Sequence, residues 1–417
     1  MDNNGIIWGI AGFATLGVII RPFRVPEYFW AGIGAVILVV FGLLPWRDAL
    51  AAAGRGTDVY LFLVGMMLLS EVARQEGLFD WLATHAVRYA QGSAKRLFLI
   101  VYGVGTLVTI FLSNDATAVV LTPAVYAAAR AAGATPLPYL FVCAFIANAA
   151  SFVLPISNPA NLVIFGDRMP HLATWLWQFG LPSLVAIAAT YLLLRFALRR
   201  TLVREQIAEA VERPRLSRGG RLAAFGIGAI GAALLCCSAL DLQLGLPTFI
   251  CGVVTTAIVL ILNRQLPWRV LRGISWGVLP LVAGLFVLVE ALAHTGVIAS
   301  INRVLHEATA ISVADATWGA GILTGLAANV MNNLPVGLIA GSVVAADNLP
   351  SQVVGAMLIG VDLGPNLSVT GSLATILWLV SLRREGVEVG IWDFLRLGLL
   401  VTPPALALSI ISLLVTA

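Results

Sequence analysis

The stretch Phe111-Leu-Ser-Asn-Asp-Ala-Thr-Ala-Val-Val120 places polar and charged side chains inside a run that is otherwise apolar from Leu97 to about Ala132. These polar side chains are therefore predicted at bilayer depth: Ser113, Asn114, Asp115 and Thr117. Ionisable side chains within a membrane span are costly and usually face a cavity, a pathway or a partner. We therefore expect Asp115 to be functional, although a short external loop between two helices would also produce this pattern.

The composition indicates an all-α polytopic membrane protein. Of the 417 residues, 59% are hydrophobic and only 11% are charged, which is too apolar for a soluble protein of this length. The net charge of +4 comes from basic residues between apolar runs and does not indicate a nucleic-acid partner. The four cysteines lie within apolar runs and form no CxxC pair or Cys/His cluster. We therefore expect no disulfide, no metal centre and no other cofactor.

Apolar runs of membrane-spanning length occur in both halves of the chain. In a first repeat, residues 1–198, the predicted spans are 5–20, 28–46, 59–71, 97–132 (interrupted), 139–165 (interrupted) and 173–198. In a second repeat, residues 222–417, they are 222–240, 248–262, 276–293, 314–344 (interrupted), 353–382 (interrupted) and 394–415. The arginine-rich segment 199–221 between them is predicted to be a cytoplasmic linker, with a short helix from Glu205 to Glu212.

The sequence itself shows a duplication. Gly65-Met-Met-Leu-Leu-Ser-Glu71 matches Gly284-Leu-Phe-Val-Leu-Val-Glu290 at an offset of 219, and the same offset places Ser113-Asn114 on Asn332-Asn333 and Gly77 on Gly296. Further on, an offset of 213 places Ser157-Asn158-Pro159 on Thr370-Gly371-Ser372. Repeated polar interruptions of apolar segments are typical of secondary transporters built from two structural repeats.

The distribution of basic residues predicts the orientation of the repeats. If each half has five full spans and one re-entrant hairpin, the second half is inverted relative to the first. With the linker inside, all but four of the 25 Lys and Arg residues then lie on the cytoplasmic side; the four are Arg47, Arg55, Arg168 and Arg303. Hairpins that cross fully would instead give twelve spans, so ten spans with two hairpins and twelve spans both remain open.

The interruptions supply the candidate site residues. A hairpin tip at mid-membrane must satisfy its backbone groups by burial against protein or a water-filled cavity, and a broken helix frees carbonyl groups for ligands. The predicted solute-binding residues are Ser113, Asn114, Thr117, Asn148, Ser157, Asn158, Asn332, Asn333, Asn366, Thr370 and Ser372. The predicted proton-coupling residues are Asp115 and Asp362. Simple capping of broken helices is the alternative interpretation of these residues.

The chemistry of these residues constrains the substrate. Amides and hydroxyls suit a neutral solute that carries hydroxyl groups, because they can both donate and accept hydrogen bonds. A site for a dicarboxylate or a phosphate would be expected to contain Arg or Lys, and the basic candidate close to these motifs, Arg130, lies near a helix end. Asp115 and Asp362 are then available to bind a coupling proton or cation. Glu71 and Glu290 are expected to pair with loop arginines.

Four motifs resemble the arsenical pump membrane protein family, ArsB, of the ion transporter superfamily. They are Ser113-Asn-Asp-Ala-Thr117, the run Asn148–Asn161, Asn332-Asn-Leu-Pro-Val-Gly337 and the run Gly360–Ser372. The resemblance implies export of arsenite and antimonite from the bacterial cytoplasm across the inner membrane in exchange for protons. It also implies a possible role as the membrane subunit of a pump where an ArsA-type ATPase is present. Relatives in the superfamily imply an elevator-type cycle, in which a mobile domain carries the hairpins and broken helices past a scaffold.

The resemblance agrees with the chemistry of the motifs, because arsenite near neutral pH is chiefly the uncharged trihydroxide. We expect Asp115 to bind the counter-transported proton and Asp362 to support the second half of the site. The alternatives are a sodium-coupled anion or carboxylate carrier of the same superfamily, a channel for neutral solutes, and an intramembrane enzyme. The sequence contains no HExxH motif, which would favour the enzyme.

Overall fold

The computed structural model describes residues 3–204, 207, 215–240 and 242–416, and every regular element within these ranges is helical. The helices of the first half are α1 (Asn3–Ile20), α2 (Glu27–Val40), α3 (Trp46–Arg55), α4 (Thr57–Gln75), α5 (Leu78–Ala90), α6 (Ala94–Phe111), α7 (Asn114–Ala116), α8 (Thr122–Ala131), α9 (Leu137–Ala149), α10 (Pro159–Phe165) and α11 (Leu172–Ala197). A π-helical turn, Thr117–Leu121, joins α7 to α8. A short helix, α12 (Arg199–Arg204), opens the linker; the predicted helix from Glu205 to Glu212 lies outside the described residues.

The second half repeats this order of elements. Its helices are α13 (Arg218–Ala239), α14 (Gly245–Leu262), α15 (Trp268–Gly273), α16 (Val278–His294), α17 (Val297–Ile311), α18 (Val313–Met331), α19 (Asn333–Ala346), α20 (Ser351–Leu363), α21 (Leu373–Arg384) and α22 (Ile391–Thr416). Each corresponds in order to a helix of the first half, with α19 matching the continuous limb that α7, the π turn and α8 form.

Local backbone features confirm the offset of 219. Gly77 and Gly296 both adopt a left-handed conformation, where they bend α4 into α5 and α16 into α17. Glycine suits both positions because it has no Cβ that would clash at positive φ. Ser93 and Ser312 begin the next helices of the two halves, and each hydroxyl accepts a hydrogen bond from a backbone N–H three residues later.

The second predicted offset holds at one point and shifts by one residue at others. Ser157 Oγ donates to the carbonyl of Ile110 at 3.0 Å, and Thr370 Oγ1 donates to the carbonyl of Asn329 at 3.2 Å, so Ser157 and Thr370 are equivalent as predicted. However, α9 and α20 begin 214 residues apart, at residues 137 and 351, and the next helix is capped by Asn158 in one half and Ser372 in the other. The segment between these helices is nine residues long in both halves, 150–158 and 364–372, so the shift by one residue is confined to this irregular segment.

Not every predicted span is a long apolar helix. Among the described residues, five helices are long and apolar enough to cross a membrane: α1, α6, α11, α14 and α22. The number rises to seven if two bent pairs are counted, α3 with α4 at 46° and α16 with α17 at 70°. Three of the remaining predicted spans, 139–165, 314–344 and 353–382, are broken into shorter helices, as expected from their polar interruptions. The other two are single helices, α2 with 14 residues and α13 with 22.

The helices pack as two groups. The frame group consists of α1–α4 and α13–α16, and its main contacts cross between the halves, α4 on α14 and α2 on α16. The hairpin group consists of α5–α11 and α17–α22, where α11 packs along α22 and α18 along α20. The two groups meet mainly where α10 packs on α4 and where α19 packs on α16.

Small residues allow the close helix contacts within the frame group. A Cβ added to Gly65 of α4 would lie 2.4 Å from the carbonyl oxygen of Thr248, and one added to Gly252 of α14 would lie 2.4 Å from that of Gly65. Glycine at such crossings lets helix backbones approach closely, which membrane helices use because burial of apolar side chains gives little driving force within lipid.

Candidate functional site

The first and second hairpins both turn at a residue with positive φ. Ser113 has φ 142° and ψ 167°, and Asn332 has φ 75° and ψ 153°; non-glycine residues rarely adopt such conformations. Each side chain caps the limb that follows, Ser113 Oγ accepting from Ala116 N at 3.4 Å and Asn332 Oδ1 from Leu334 N at 3.3 Å. Strained backbone of this kind persists only where the surroundings fix it, and it often occurs at functional sites.

This strain leads to a testable expectation at Asn332. Asn332→Gly and Asn332→Ala both remove the cap, but only Ala keeps a Cβ at positive φ. We expect Asn332→Ala to unfold at a lower temperature than Asn332→Gly, with a difference of about 1–3 kcal/mol in the free energy of unfolding. Thermal unfolding of the two purified variants in the same detergent measures this difference. Equal unfolding temperatures would mean that the turn relaxes to an unstrained conformation.

The two broken helices cross each other at their breaks. Asn148 Nδ2 donates to Asn366 Oδ1 at 3.0 Å, and Asn366 Nδ2 donates to the carbonyl of Phe145 at 2.9 Å. A second link joins Asn158 to Asp362, whose Oδ1 accepts from Asn158 Nδ2 at 2.8 Å. All these side chains are buried, so the hydrogen bonds satisfy polar groups that burial would otherwise leave unpaired. Each half therefore contributes to fixing the break in the other.

A small cavity lies where the hairpin tips, the breaks and the frame group meet. Its volume is about 20 Å³, which is room for about one water molecule. The hairpin group contributes Asn114, Asp115, Asn158, Pro159, Asn333, Leu334 and Leu373 to its wall. The frame group contributes only apolar side chains, Leu63 of α4 and Val278 and Val282 of α16. The cavity therefore has one polar wall and one apolar wall.

The structure brings four of the predicted site residues to this cavity: Asn114, Asp115, Asn158 and Asn333. The others support them through internal hydrogen bonds; these are Ser113, Thr117, Asn148, Ser157, Asn332, Asn366, Thr370, Ser372 and Asp362. Thr117 Oγ1, for example, is 2.8 Å from Thr109 Oγ1, and Ser372 caps α21 by accepting from Thr375 N at 3.0 Å. Capping of broken helices, the alternative interpretation, therefore accounts for some of the predicted site residues.

Sequence reasoning missed several residues that shape the site. Asn329 in the last turn of α18 donates to the carbonyl of Gly364 at 2.9 Å and accepts from Ser368 Oγ at 2.8 Å, which ties the second hairpin to the second break. Its position three residues before Asn332 was the available signal. The apolar wall formed by the frame group had no sequence signal, because Leu and Val are common in every span.

A larger cavity, the outer vestibule, separates the two groups beside the small cavity. It has a volume of about 630 Å³ and is lined by the α3–α4 junction and the second half of α16 on one side and by α10 and α19 on the other. Leu162 and Leu338 line it about one helical turn beyond Pro159 and Leu334, which line the small cavity. The vestibule also contains Arg55 and Arg168, two of the four basic residues predicted outside.

The charged residues around the vestibule are mostly engaged with other groups. Arg55 forms an ion pair with Glu290, and Arg168 Nη1 donates to the carbonyl of Val344 at 3.3 Å. The equivalent Glu71 is buried and accepts from Arg74 Nη2 at 2.6 Å on its own helix. Both glutamates thus pair with arginine, but only Glu290 uses one from another helix.

Neither a basic side chain nor a cysteine is among the residues that line the small cavity. Arg130 is exposed in the last turn of α8. The four cysteines are free, and Cys143 is fully buried within α9. Within the described ranges, no group of three or more His, Cys, Asp or Glu side chains is placed to hold a metal ion.

Comparison with known proteins supports a transporter. Residues 15–360 match the sequence model of a family described as "Citrate transporter". An "Arsenical pump membrane protein" of Escherichia coli (strain K12) is 27% identical over 405 residues, covering 92% of both chains. The corresponding protein of Yersinia enterocolitica is 28% identical over 396 residues, also with 92% coverage of both. An uncharacterized transporter of Mycobacterium tuberculosis is 26% identical over 424 residues and covers 96% of both chains.

A solved structure shares the fold. It is the YdaH transporter of Alcanivorax borkumensis, whose structure is described as having an unusual topology. The TM-score is 0.57 at 17% sequence identity, with 89% of this chain and 86% of that chain covered. The resemblance to arsenical pump membrane proteins and the all-helical, polytopic fold class are therefore confirmed.

Proposed function

The chain belongs to the citrate transporter family, which comprises membrane transporters and not enzymes, and we propose that it is a secondary active transporter for arsenite and antimonite. It exports both as neutral trihydroxides from the cytoplasm in exchange for protons. The arsenical pump membrane proteins, similar over 92% of the chain, support this choice of substrate.

The observation that carries the proposal is the polarity of the small cavity. Its polar wall offers the amides of Asn114, Asn158 and Asn333 and the carboxylate of Asp115, without a basic side chain. Three hydroxyl groups on one small solute can donate to such acceptors and accept from the amide N–H groups. An anion would instead face the Asp115 carboxylate at close range, which is unfavourable where water is scarce.

Asp115 is the site of the counter-transported proton in this proposal. An ionised Asp115 accepts hydrogen bonds from the trihydroxide, whereas a protonated Asp115 loses most of its acceptor strength. Proton and solute then disfavour each other, and this reciprocal coupling lets a proton gradient drive export. Asp362 supplies a second ionisable group in the other half.

Movement of the hairpin group against the frame group completes the cycle. The small cavity holds about one water molecule, so it must widen before it admits a trihydroxide. The outer vestibule lies beside it on the side where Arg55 and Arg168 are predicted outside, and it provides the release route. Residues of the hairpin group form the polar wall, so a moving hairpin group carries the solute-binding residues past an apolar frame.

The test is arsenite flux into proteoliposomes that contain only this chain. An imposed pH gradient is expected to drive arsenite accumulation against its concentration gradient, and antimonite is expected to compete. Flux that only equilibrates arsenite and ignores the pH gradient would contradict exchange. It would instead indicate a channel, or the membrane subunit of a pump that requires an ArsA-type ATPase.

A second candidate is a sodium-coupled anion or carboxylate carrier, which the description of the matched family favours. The basic residues that such a substrate would need line the outer vestibule and not the small cavity. Sodium-dependent citrate uptake by the same vesicles, unaffected by arsenite, would favour this candidate and exclude the first.

Cysteine ligation of arsenite is not part of the proposal. Cys143 is buried within α9 and lies outside the residues that line the small cavity. A variant with all four cysteines replaced by Ala or Ser is expected to retain arsenite flux within about twofold of the parent chain, because hydrogen bonds alone hold a neutral polyhydroxy solute. Loss of flux in a variant that still elutes as a folded protein would show that a thiol takes part.

The partners of this function are arsenite, antimonite, protons and membrane lipid. The relatives named above are bacterial, and the chain is a multi-pass protein of the bacterial inner membrane. Many large apolar side chains are exposed on its surface, as contact with lipid requires.

A further inference from the structure

Asp362 is separate from the small cavity. It lies at the end of α20, its side chain is fully buried, and it is not among the residues that line the cavity. Asn158 donates to its Oδ1, the hydroxyl of Ser151 faces the carboxylate, and within the described residues its Oδ2 has no hydrogen-bond partner. Ionising a buried carboxylate with so few hydrogen-bond donors costs free energy, so each of its few contacts strongly affects whether it is ionised.

No cation from the neighbouring helices compensates Asp362 in the described part of the chain. The helices packed on α20 are α9, α10, α11, α18, α19 and α22. Their charged and titratable side chains are Tyr139, Cys143, Tyr191, Arg195, Asp315, Asp393 and Arg396. The charged members of this set lie at the ends of their helices: Arg195, Asp315, Asp393 and Arg396. The direct polar contacts of the carboxylate are therefore neutral.

Asn158 connects this buried carboxylate to the cavity because one side chain has three roles. It forms part of the cavity wall, its Nδ2 donates to Asp362, and its Oδ1 accepts from Ala160 N at 3.0 Å in the first turn of α10. The amide oxygen has a second lone pair, which can accept a hydrogen bond from a solute hydroxyl. The orientation of this amide determines which atom it presents to the solute.

We propose that Asn158 couples the ionisation of Asp362 to solute binding by holding its amide in one orientation. The inference rests on the proposed function, and it assigns Asn158 a positioning role in addition to its contact with the cavity. Ionised Asp362 binds the amide N–H through a charge-assisted hydrogen bond, so Oδ1 stays directed at Ala160 and the cavity. When Asp362 takes up a proton, this hydrogen bond weakens and the amide is held less firmly.

The sign of this coupling fits exchange of solute for protons. A solute hydroxyl prefers the oriented amide, so bound solute favours ionised Asp362, and a proton on Asp362 disfavours bound solute. By reciprocity the two effects on affinity are equal. Asp115 acts directly on the solute, whereas Asp362 acts through Asn158. A proton on either carboxylate therefore lowers the affinity for the solute.

A double-mutant cycle tests the coupling. The variants are Asp362→Asn, Asn158→Ser and the double variant, with binding of arsenite to purified protein measured from acid to mildly alkaline pH. Serine keeps an N-cap for α10 but is too short to reproduce the amide contact, so folding is expected to be retained. Asp315→Asn is the matched control, because the same chemical change occurs at an exposed helix start.

We expect each single variant to weaken arsenite binding at mildly alkaline pH, where Asp362 is ionised, about tenfold, and the double variant also about tenfold. Asp362→Asn and Asn158→Ser are both expected to reduce the pH dependence of binding, which a merely structural loss would leave in place. If the two substitutions acted independently, the double variant would bind arsenite about a hundredfold more weakly, and this result would overturn the coupling. An unchanged pH dependence of binding in both single variants would also overturn it. Either result would leave the proposed function intact. Absence of arsenite binding by the parent chain would overturn both.

Discussion

Asp115→Asn is expected to abolish arsenite accumulation driven by a pH gradient, reducing it to the level of protein-free vesicles. Asparagine keeps the size and much of the hydrogen bonding of Asp115 but cannot exchange a proton. Asp115 lines the small cavity directly, and the amide of Asn114 beside it already accepts from the backbone N–H of Asp115 at 2.9 Å, so the tip should keep its fold. The measurement is proteoliposome flux with and without the gradient, together with equilibrium binding of arsenite.

The outcome separates proton coupling from structure. Arsenite binding that persists, although weakened by loss of the charged acceptor, together with lost gradient-driven accumulation supports Asp115 as the proton site. Gradient-driven accumulation equal to that of the parent chain would return Asp115 to a capping role at the hairpin tip. Asp315→Asn, exposed at the start of α18, is the control and is expected to transport normally.

Gly252→Val is expected to eliminate most of the folded protein. The first added carbon would lie 2.4 Å from the carbonyl oxygen of Gly65 and 2.8 Å from its Cα, so helix backbones and not flexible side chains would have to separate. Overpacking of a buried contact typically costs about 1–3 kcal/mol, and the rigid partner here places the cost at or above the upper end. Because α4 and α14 form the main contact between the halves of the frame group, its loss should affect the whole fold.

Gly228→Val is the matched control for this change. Gly228 lies on α13 with open space where a Cβ would be added, so the same substitution should leave the yield of monodisperse protein and its unfolding temperature nearly unchanged. Size-exclusion chromatography and thermal unfolding in detergent compare the two variants. If Gly252→Val matched Gly228→Val in both measurements, the close approach of α4 and α14 would not be required for folding.

The sequence predicted the repeats and their breaks well because both depend on local chemistry. Polar residues and proline within apolar runs mark breaks, and an internal match at a constant offset requires no knowledge of packing. Five helices were not predicted as elements: α3, α5, α12, α15 and α17. They are short or carry polar residues between the apolar ones, so a search for long apolar runs passes over them.

The site was harder to predict than the fold, because residue type does not determine which polar side chains face a cavity. Asn158 and Asp362 are 204 residues apart, and their hydrogen bond depends on how two broken helices cross. Asn148 and Asn158 lie in the same interrupted span, yet only Asn158 reaches the small cavity. The outer vestibule depends on the separation of two helix groups, which no local pattern encodes.

The correspondence between the halves shows how the duplicated unit diverged. Asp115 in the first half corresponds to Leu334 at the offset of 219, and Asp362 in the second corresponds to Asn148 at the offset of 214. Each half therefore contributes one of the two predicted proton-coupling carboxylates, at positions that are not equivalent. A pair of identical first halves would have two Asp115 carboxylates near one solute and no counterpart of Asp362. The ancestral symmetry persists in the backbone but has been lost in the ionisable groups, so the two halves can no longer substitute for each other.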